Sequence, residues 1–126
     1  MKTTTIFNKT EILHNLEFEA ISVTVDKATT GTVTENGRKL LKAGTLLAGD
    51  GKSIFEDRTK KVKKLTGDAT AQYVDGVALH DVDLTDGDSV VACVFKGTLR
   101  EDKCNGGTVD ANVKSKLNLI KFVKGV

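Results

Sequence analysis

A histidine, an aspartate and a serine are close enough in the sequence to suggest a nucleophilic site. His80 precedes Asp81, and Ser89 opens the next apolar stretch. A serine activated by a histidine that a carboxylate orients is the arrangement of many hydrolases. The chain has only two histidines, however, and it lacks the G-x-S-x-G turn that exposes a nucleophilic serine. The pattern is more typical of a histidine that ends a strand with its ring half exposed. We therefore expect no catalytic residue and no enzyme activity.

Four aspartates between residues 81 and 88 raise the question of a calcium site, because calcium takes carboxylate oxygens as ligands. An EF-hand loop counted from Asp81 needs Gly at its sixth position and Glu at its twelfth, where this sequence has Asp86 and Ala92. Asp and Gly are also the residues that turns prefer. The two cysteines and two histidines are too widely separated for a zinc finger. We expect no metal site here. The candidate calcium ligands were Asp81, Asp83, Asp86 and Asp88.

A basic run, residues 58–64, is the feature most typical of nucleic-acid binding. No aromatic residue accompanies it, and the net charge of the chain is only +2. Lysines also protect exposed strand edges from pairing with other chains. The run therefore favours a solvated loop or edge, and specific binding of nucleic acid is not expected.

The composition excludes several other classes of protein. With five Phe, one Tyr and no Trp, an aromatic-lined cofactor pocket is hard to build, so we expect no cofactor and no small-molecule substrate. Two cysteines do not make a disulfide scaffold: Cys93 reads as a buried thiol and Cys104 lies in a polar, Gly-rich loop. No apolar run is long enough for a membrane helix, and residues 1–5 lack the pattern of a signal peptide. We expect a protein made and used without export.

The elements read from the sequence are mostly short strands, in a chain of 126 residues that is sufficient for one domain. Ile21, Val23 and Val25 alternate with polar residues, the period of a half-buried strand. Asn36-Gly37 is a favoured hairpin turn. Residues 89–95 form the most apolar run and predict a central strand, continued by a polar-alternating strand over residues 97–103. Further strands are predicted over residues 32–35, 45–48, 69–74 and 77–80.

The two ends of the chain differ from this pattern. Val109, Val113, Leu117 and Ile120 have helical spacing, and Thr108 or Asp110 can cap a short helix. From residue 118 the pattern is that of a strand, with Ile120 and Phe122 on one face. Residues 1–16 are polar with isolated apolar positions and predict an N-terminal arm; a first strand packed on the core is the alternative. We therefore predict an arm over 1–16 and one mainly β domain, a β-rich α+β fold, over 17–126.

Four stretches of this domain resemble the head decoration proteins of tailed bacteriophages, the capsid-stabilising proteins of the lambda type. KAGTLL at 42–47 resembles the turn into an early strand of that family, and GVALHDVD at 76–83 resembles the strand that follows. VACVFKGTL at 91–99 and the segment 110–122 resemble its next strand and its closing helix and strand.

The resemblance implies a compact small β-barrel or β-tulip-like domain with one short C-terminal helix and an extended arm. It implies a homotrimer on the outer surface of the expanded capsid, made in the host bacterial cytoplasm, that binds the major capsid protein and resists the pressure of packaged DNA. The turns that define such a fold would be at Gly44, Gly76 and Gly97. Residues of the arm expected to bind the capsid are Thr3, Thr4, Thr5, Ile6, Phe7, Ile12 and Leu13.

Two alternatives remain open from the sequence. One is another phage structural module, such as a tail or baseplate part or the base of a head fibre. The other is a small nucleic-acid-binding β-barrel that uses residues 58–64. No membrane partner is expected in any of these cases.

Overall fold

The computed structural model describes residues 12–49, 52–65, 74–105 and 109–124, with the backbone alone for residues 14–16. The predicted arm residues Thr3, Thr4, Thr5, Ile6 and Phe7 lie outside this part of the chain. So do residues 69–73 of one predicted strand. In the described part the chain forms nine strands, one short α-helix and one 3-10 turn, so the prediction of a mainly β fold with one short helix is confirmed.

The first strand, β1 (Leu13–Val25), begins earlier than predicted. Ile12, just before it, is fully buried, and its carbonyl accepts a hydrogen bond of 2.7 Å from the Arg100 amide. Leu13 is paired with Leu99 and packs against the same core. This corrects the assignment of Ile12 to a capsid-binding arm, because its side chain is fully buried in the core; Leu13 is only partly buried there, and its capsid contact stays a prediction. The alternative of a first strand packed on the core holds for these residues.

A β-hairpin follows β1. Strands β2 (Val33–Glu35) and β3 (Arg38–Leu41) are joined by Asn36 and Gly37, whose φ angles of +52° and +76° are those of a type I′ turn. The prediction of a hairpin at this dipeptide is confirmed. Strand β7 (Val82–Asp83) pairs with β3 and completes a three-stranded sheet in the order β2-β3-β7.

The larger sheet contains the remaining strands. β4 (Leu46–Gly49), β5 (Val62–Lys64), β6 (Gly76–Ala78) and β8 (Ser89–Arg100) join β1 and a last strand, β9 (Ile120–Val123), in the order β1-β5-β4-β6-β8-β9. Because β1 also pairs antiparallel with β8, the pairings β1-β5-β4-β6-β8 form a closed circuit. Such closure leaves few free strand edges.

A short helix between β8 and β9 covers one face of this sheet. α1 (Ala111–Lys116) starts at Asp110, whose side chain accepts a hydrogen bond of 2.9 Å from the Val113 amide, so one of the two predicted caps is confirmed. β9 then pairs parallel to β8. The predicted strand over 97–103 is wrong beyond Arg100, because a 3-10 turn over Glu101–Lys103 redirects the chain and buries Glu101.

Two hydrophobic cores lie on opposite faces of the central strands. Adjacent residues point to opposite sides of a strand, so Cys93 lies in the inner core, enclosed by the circuit, and Val94 in the outer core, beneath α1. Likewise, Ala78 lies in the inner core and Val77 lies in the outer core. Burial on both faces explains why these strands are continuously apolar in the sequence.

The three glycines predicted to define turns have different roles. Gly44 lies in a turn at φ +88°, against the backbone of Lys103. Gly76 and Gly97 lie inside β6 and β8, which corrects their assignment to turns. A Cβ at Gly76 would collide with the Val94 carbonyl oxygen and lie 2.5 Å from the Cys93 Sγ, so the strands pass too close for any other residue. Gly97, at φ +145°, lies at an irregularity in the β1–β8 pairing.

Candidate interaction surfaces

The histidine, aspartate and serine of the hydrolase-like pattern do not form a catalytic arrangement around Asp81. The Asp81 Oδ1 accepts a hydrogen bond of 2.8 Å from the Ala43 amide, and its Oδ2 lies 3.1 Å from the Lys42 Nζ. This carboxylate therefore holds the turn before β4 and is not free to orient an imidazole. His80 is exposed beyond the end of β6.

The four candidate calcium ligands are paired with basic side chains: Asp81 with Lys42, Asp83 and Asp86 with Arg38, and Asp88 with Lys61. The Asp83 Oδ2 lies 2.8 Å from the Arg38 Nε, and Asp88 lies 2.7 Å from the Lys61 Nζ. Hydrogen bonds from Thr85 and then from Arg38 lower the pKa of Asp83 to about 2. Across the described residues, no three His, Cys, Asp or Glu side chains are grouped so that they could hold a metal ion.

The basic run is partly neutralised by the fold. The Lys61 Nζ makes its ion pair with Asp88, which raises the pKa of Lys61, and the Lys63 Nζ lies 4.0 Å from Asp26. The amide of Lys64 donates to the Thr29 Oγ1 at 2.8 Å. Two lysines of the run, Lys61 and Lys63, therefore have carboxylate partners, which favours a solvated loop or edge over a nucleic-acid patch.

Both cysteines are buried free thiols, and they lie in different cores. Cys93 is in the inner core and Cys104 in the outer core, each with no exposed surface. The interpretation of Cys93 is confirmed, whereas Cys104 leaves its polar loop to pack inward. Burial raises the pKa of each thiol to about 12, so neither is a reactive nucleophile.

The outer edge of β1 is a candidate interaction surface. β1 pairs with β8 along one side, but on its other side it pairs with β5 only at Val25. No described strand covers the rest of this edge, so alternate backbone N–H and C=O groups of residues 18–24 face outward. Unpaired edges of this kind accept a strand from another chain.

The two halves of this edge differ in charge and regularity. Glu17 and Glu19 are exposed, and the pairing with β8 shifts register on both sides of this segment. From Ala20 to Val25 the register is regular and the sequence AISVTV carries no charge. Charges and bulges protect an edge, whereas a flat uncharged stretch favours pairing. The segment 20–24, up to the residue that already pairs with β5, is therefore the part of β1 best suited to an added strand.

A second candidate surface is an open cleft of about 430 Å³ between the β4–β5 loop and the turn that joins α1 to β9. The Phe55 and Phe95 rings meet edge to face with centroids 5.3 Å apart on one wall. Leu117 and Leu119 contribute to the other wall. Phe55 and Leu119 are 51% and 58% exposed, which is unusual for large apolar side chains.

Asp75 fixes the loop wall of this cleft. Its carboxylate is 2% exposed and accepts hydrogen bonds from the Ser53 hydroxyl at 2.6 Å, the Gly49 amide at 2.7 Å and the Ile54 amide at 3.3 Å. The cleft is therefore built before anything binds. The sequence interpretation missed this role, because Asp75-Gly76 also has the composition of a simple turn.

Comparison with known proteins adds no relative. No family model matches the chain, and no curated protein matches it significantly. Among the helices in the described ranges, none has the length and apolar character needed to cross a bilayer.

Proposed function

We propose that this chain is a structural protein of a tailed-bacteriophage head, which binds the outside of the expanded capsid as a homotrimer and stabilises the shell against packaged DNA. In this proposal the protein performs no reaction and holds no cofactor. Its partners are the major capsid protein and other copies of itself.

The observation that carries the proposal is the way the four resembling stretches come together. Residues 42–47 supply the Gly44 turn and the start of β4, and residues 76–83 supply β6 and β7. Residues 91–99 lie in β8, and residues 110–122 contain α1 and most of β9. β4, β6, β8 and β9 are consecutive neighbours in one sheet, and α1 covers it. Apart from β7, which belongs to the smaller sheet, the four stretches therefore lie side by side in the fold, and this supports the proposal.

The outer edge of β1 supports a binding role for this unit. An added strand gains affinity from main-chain hydrogen bonds, and the regular segment 20–24 offers them without opposing charge. A single strand pairing is weak, because ordering each residue costs about 1–2 kcal/mol. Copies joined in one trimer make the later contacts effectively intramolecular, which multiplies the overall affinity without new contacts.

The experiment adds the purified chain to expanded shells of its phage and measures co-sedimentation and the temperature at which the shells break. We expect saturable binding and a higher disruption temperature. Deletion of residues 2–11 tests the predicted arm, because this deletion keeps the buried Ile12 and the whole of β1. Unchanged binding by that variant would remove the arm from the mechanism, and failure of the full chain to bind would contradict the proposal.

The tail or baseplate alternative gives a different location. Electron cryo-microscopy of the source particle would place the chain at the local three-fold sites of the shell if the proposal is correct. Density confined to the tail would favour the alternative.

A further inference from the structure

The cleft between Phe55 and Leu119 is built from segments far apart in the sequence. Phe55 belongs to the β4–β5 loop, Phe95 to β8, and Leu119 to the turn before β9. The backbone of each wall is fixed. On the loop side Asp75 binds the Gly49 and Ile54 amides, and on the other side the Leu119 carbonyl accepts a hydrogen bond of 3.2 Å from the Gly97 amide.

The fixed backbone makes the exposure of the side chains informative. Phe55 and Leu119 present more than half of their surfaces to solvent while the main chain beneath them is held. Apolar side chains on a fixed backbone around an open cleft reduce the ordering that binding requires, and such clefts serve as anchor pockets in protein interfaces. A cleft of about 430 Å³ has room for a large apolar side chain.

The charged residues at the cleft indicate which group of a partner would lie beside an apolar side chain bound there. Of the described residues that line it, Asp75 and Lys116 are ionisable. The Asp75 carboxylate is buried and already accepts its hydrogen bonds from the loop. Lys116 is exposed at the end of α1, and no described carboxylate lies within ion-pair distance of its ammonium group. Lys114, by contrast, is paired with Glu101 at 2.7 Å. Within the described part of the chain, Lys116 therefore gives the cleft a positive charge without a carboxylate partner, beside an apolar surface.

We propose that this cleft binds a segment of a partner protein in which a large apolar side chain is followed by a carboxylate. The apolar side chain would pack between Phe55, Phe95 and Leu119, and the carboxylate would pair with the Lys116 ammonium. The surface is separate from the outer edge of β1 and does not depend on the proposed role in the phage head.

The test titrates the isotope-labelled full chain with blocked tetrapeptides and follows its amide and methyl NMR signals. The probe is Gly-Phe-Asp-Gly, and the matched peptides are Gly-Phe-Lys-Gly and Gly-Ala-Asp-Gly. We expect the probe to shift signals of Phe55, Phe95 and Leu119. It should bind about two- to fivefold more tightly than the lysine peptide, the range expected of an exposed ion pair. It should bind about ten- to a hundredfold more tightly than the alanine peptide, because that peptide lacks the aromatic ring that the cleft would bury.

Variants of exposed residues separate the two contacts without disturbing the core. Lys116→Glu should reverse the preference between the aspartate and lysine peptides, and Leu119→Ser should weaken both. Lys121→Glu, an exposed position on β9 outside the cleft, is the matched control and should change neither.

Several results would overturn the proposal. Absence of any shift at the solubility limit of the probe, or equal affinity for the aspartate and lysine peptides, would reject it. Shifts of the same signals on raising the concentration of the chain alone would instead assign the cleft to contacts between copies of this protein.

Discussion

Asp75 is the buried carboxylate that organises the loop between β4 and β5. Replacing it with alanine leaves the buried amides of Gly49 and Ile54 without their acceptor. Each buried N–H without a partner costs about 1–3 kcal/mol, so for the two amides we expect Asp75→Ala to lower the free energy of unfolding by about 2–6 kcal/mol. Urea denaturation measures this change. Asp102→Ala, at an exposed carboxylate, is the control, and a loss at Asp75 no larger than at Asp102 would contradict the assigned role.

Glu101 makes the stability of the fold depend on pH. Its side chain is 5% exposed and lies 2.7 Å from the Lys114 Nζ and 3.7 Å from the Lys124 Nζ. The Lys114 ammonium is the main reason that the pKa of Glu101 lies below its ordinary value of 4.5. A carboxylate with a lower pKa in the folded state stabilises the fold above its unfolded pKa, and this contribution is lost as the pH falls through the folded pKa.

We therefore expect the free energy of unfolding to fall as the pH is lowered below 4.5, and Glu101→Gln to remove part of that slope. Asp83, whose pKa is lowered to about 2, should preserve a decline at still lower pH in the variant. Urea denaturation across this acid range checks both expectations. Identical pH profiles for the wild type and Glu101→Gln would contradict the account of this ion pair.

At the scale of elements, Gly76 tests the close contact between β6 and β8. An added methyl group would meet the Val94 carbonyl and the Cys93 Sγ, so Gly76→Ala must force two central strands apart. We expect a loss of about 1–3 kcal/mol or more, the range for overpacked cores. Gly37→Ala has open space around it and only the strain of a positive φ, which costs about 1–2 kcal/mol. Thermal unfolding compares the variants, and a smaller loss at Gly76 than at Gly37 would contradict this packing.

Several elements are predictable from the sequence because their signals are local. The alternation of Ile21, Val23 and Val25 predicts a strand, Asn36-Gly37 predicts its hairpin, and Asp110 predicts the start of α1. Each of these depends on residues within one turn or one strand.

The rest depends on contacts between distant parts of the chain. Ile12 is isolated in a polar segment, so nothing nearby in the sequence shows that it reaches the core beside Leu99. The sequence around Glu101 is typical of a surface residue, and only the fold brings Lys114 next to it. The cleft is hidden for the same reason, since Phe55 and Leu119 lie in loops that only the fold brings together.

For the whole molecule, the proposed function requires that the chain associates with other copies of itself and with the capsid. The described part of the domain has an uncharged strand edge and an apolar cleft, and both are surfaces suited to contacts with other proteins. The proposed homotrimer should have three times the mass of the 13.5 kDa chain by light scattering. A mass that stays at that of one chain at all concentrations would contradict it.

The most direct test of the central claim is electron cryo-microscopy of expanded capsids of the source phage, assembled without this protein and then incubated with it. We expect new density for three copies at each local three-fold site on the outer surface, together with a higher disruption temperature of the same capsids. Capsids that show no added density and break at an unchanged temperature would contradict the account.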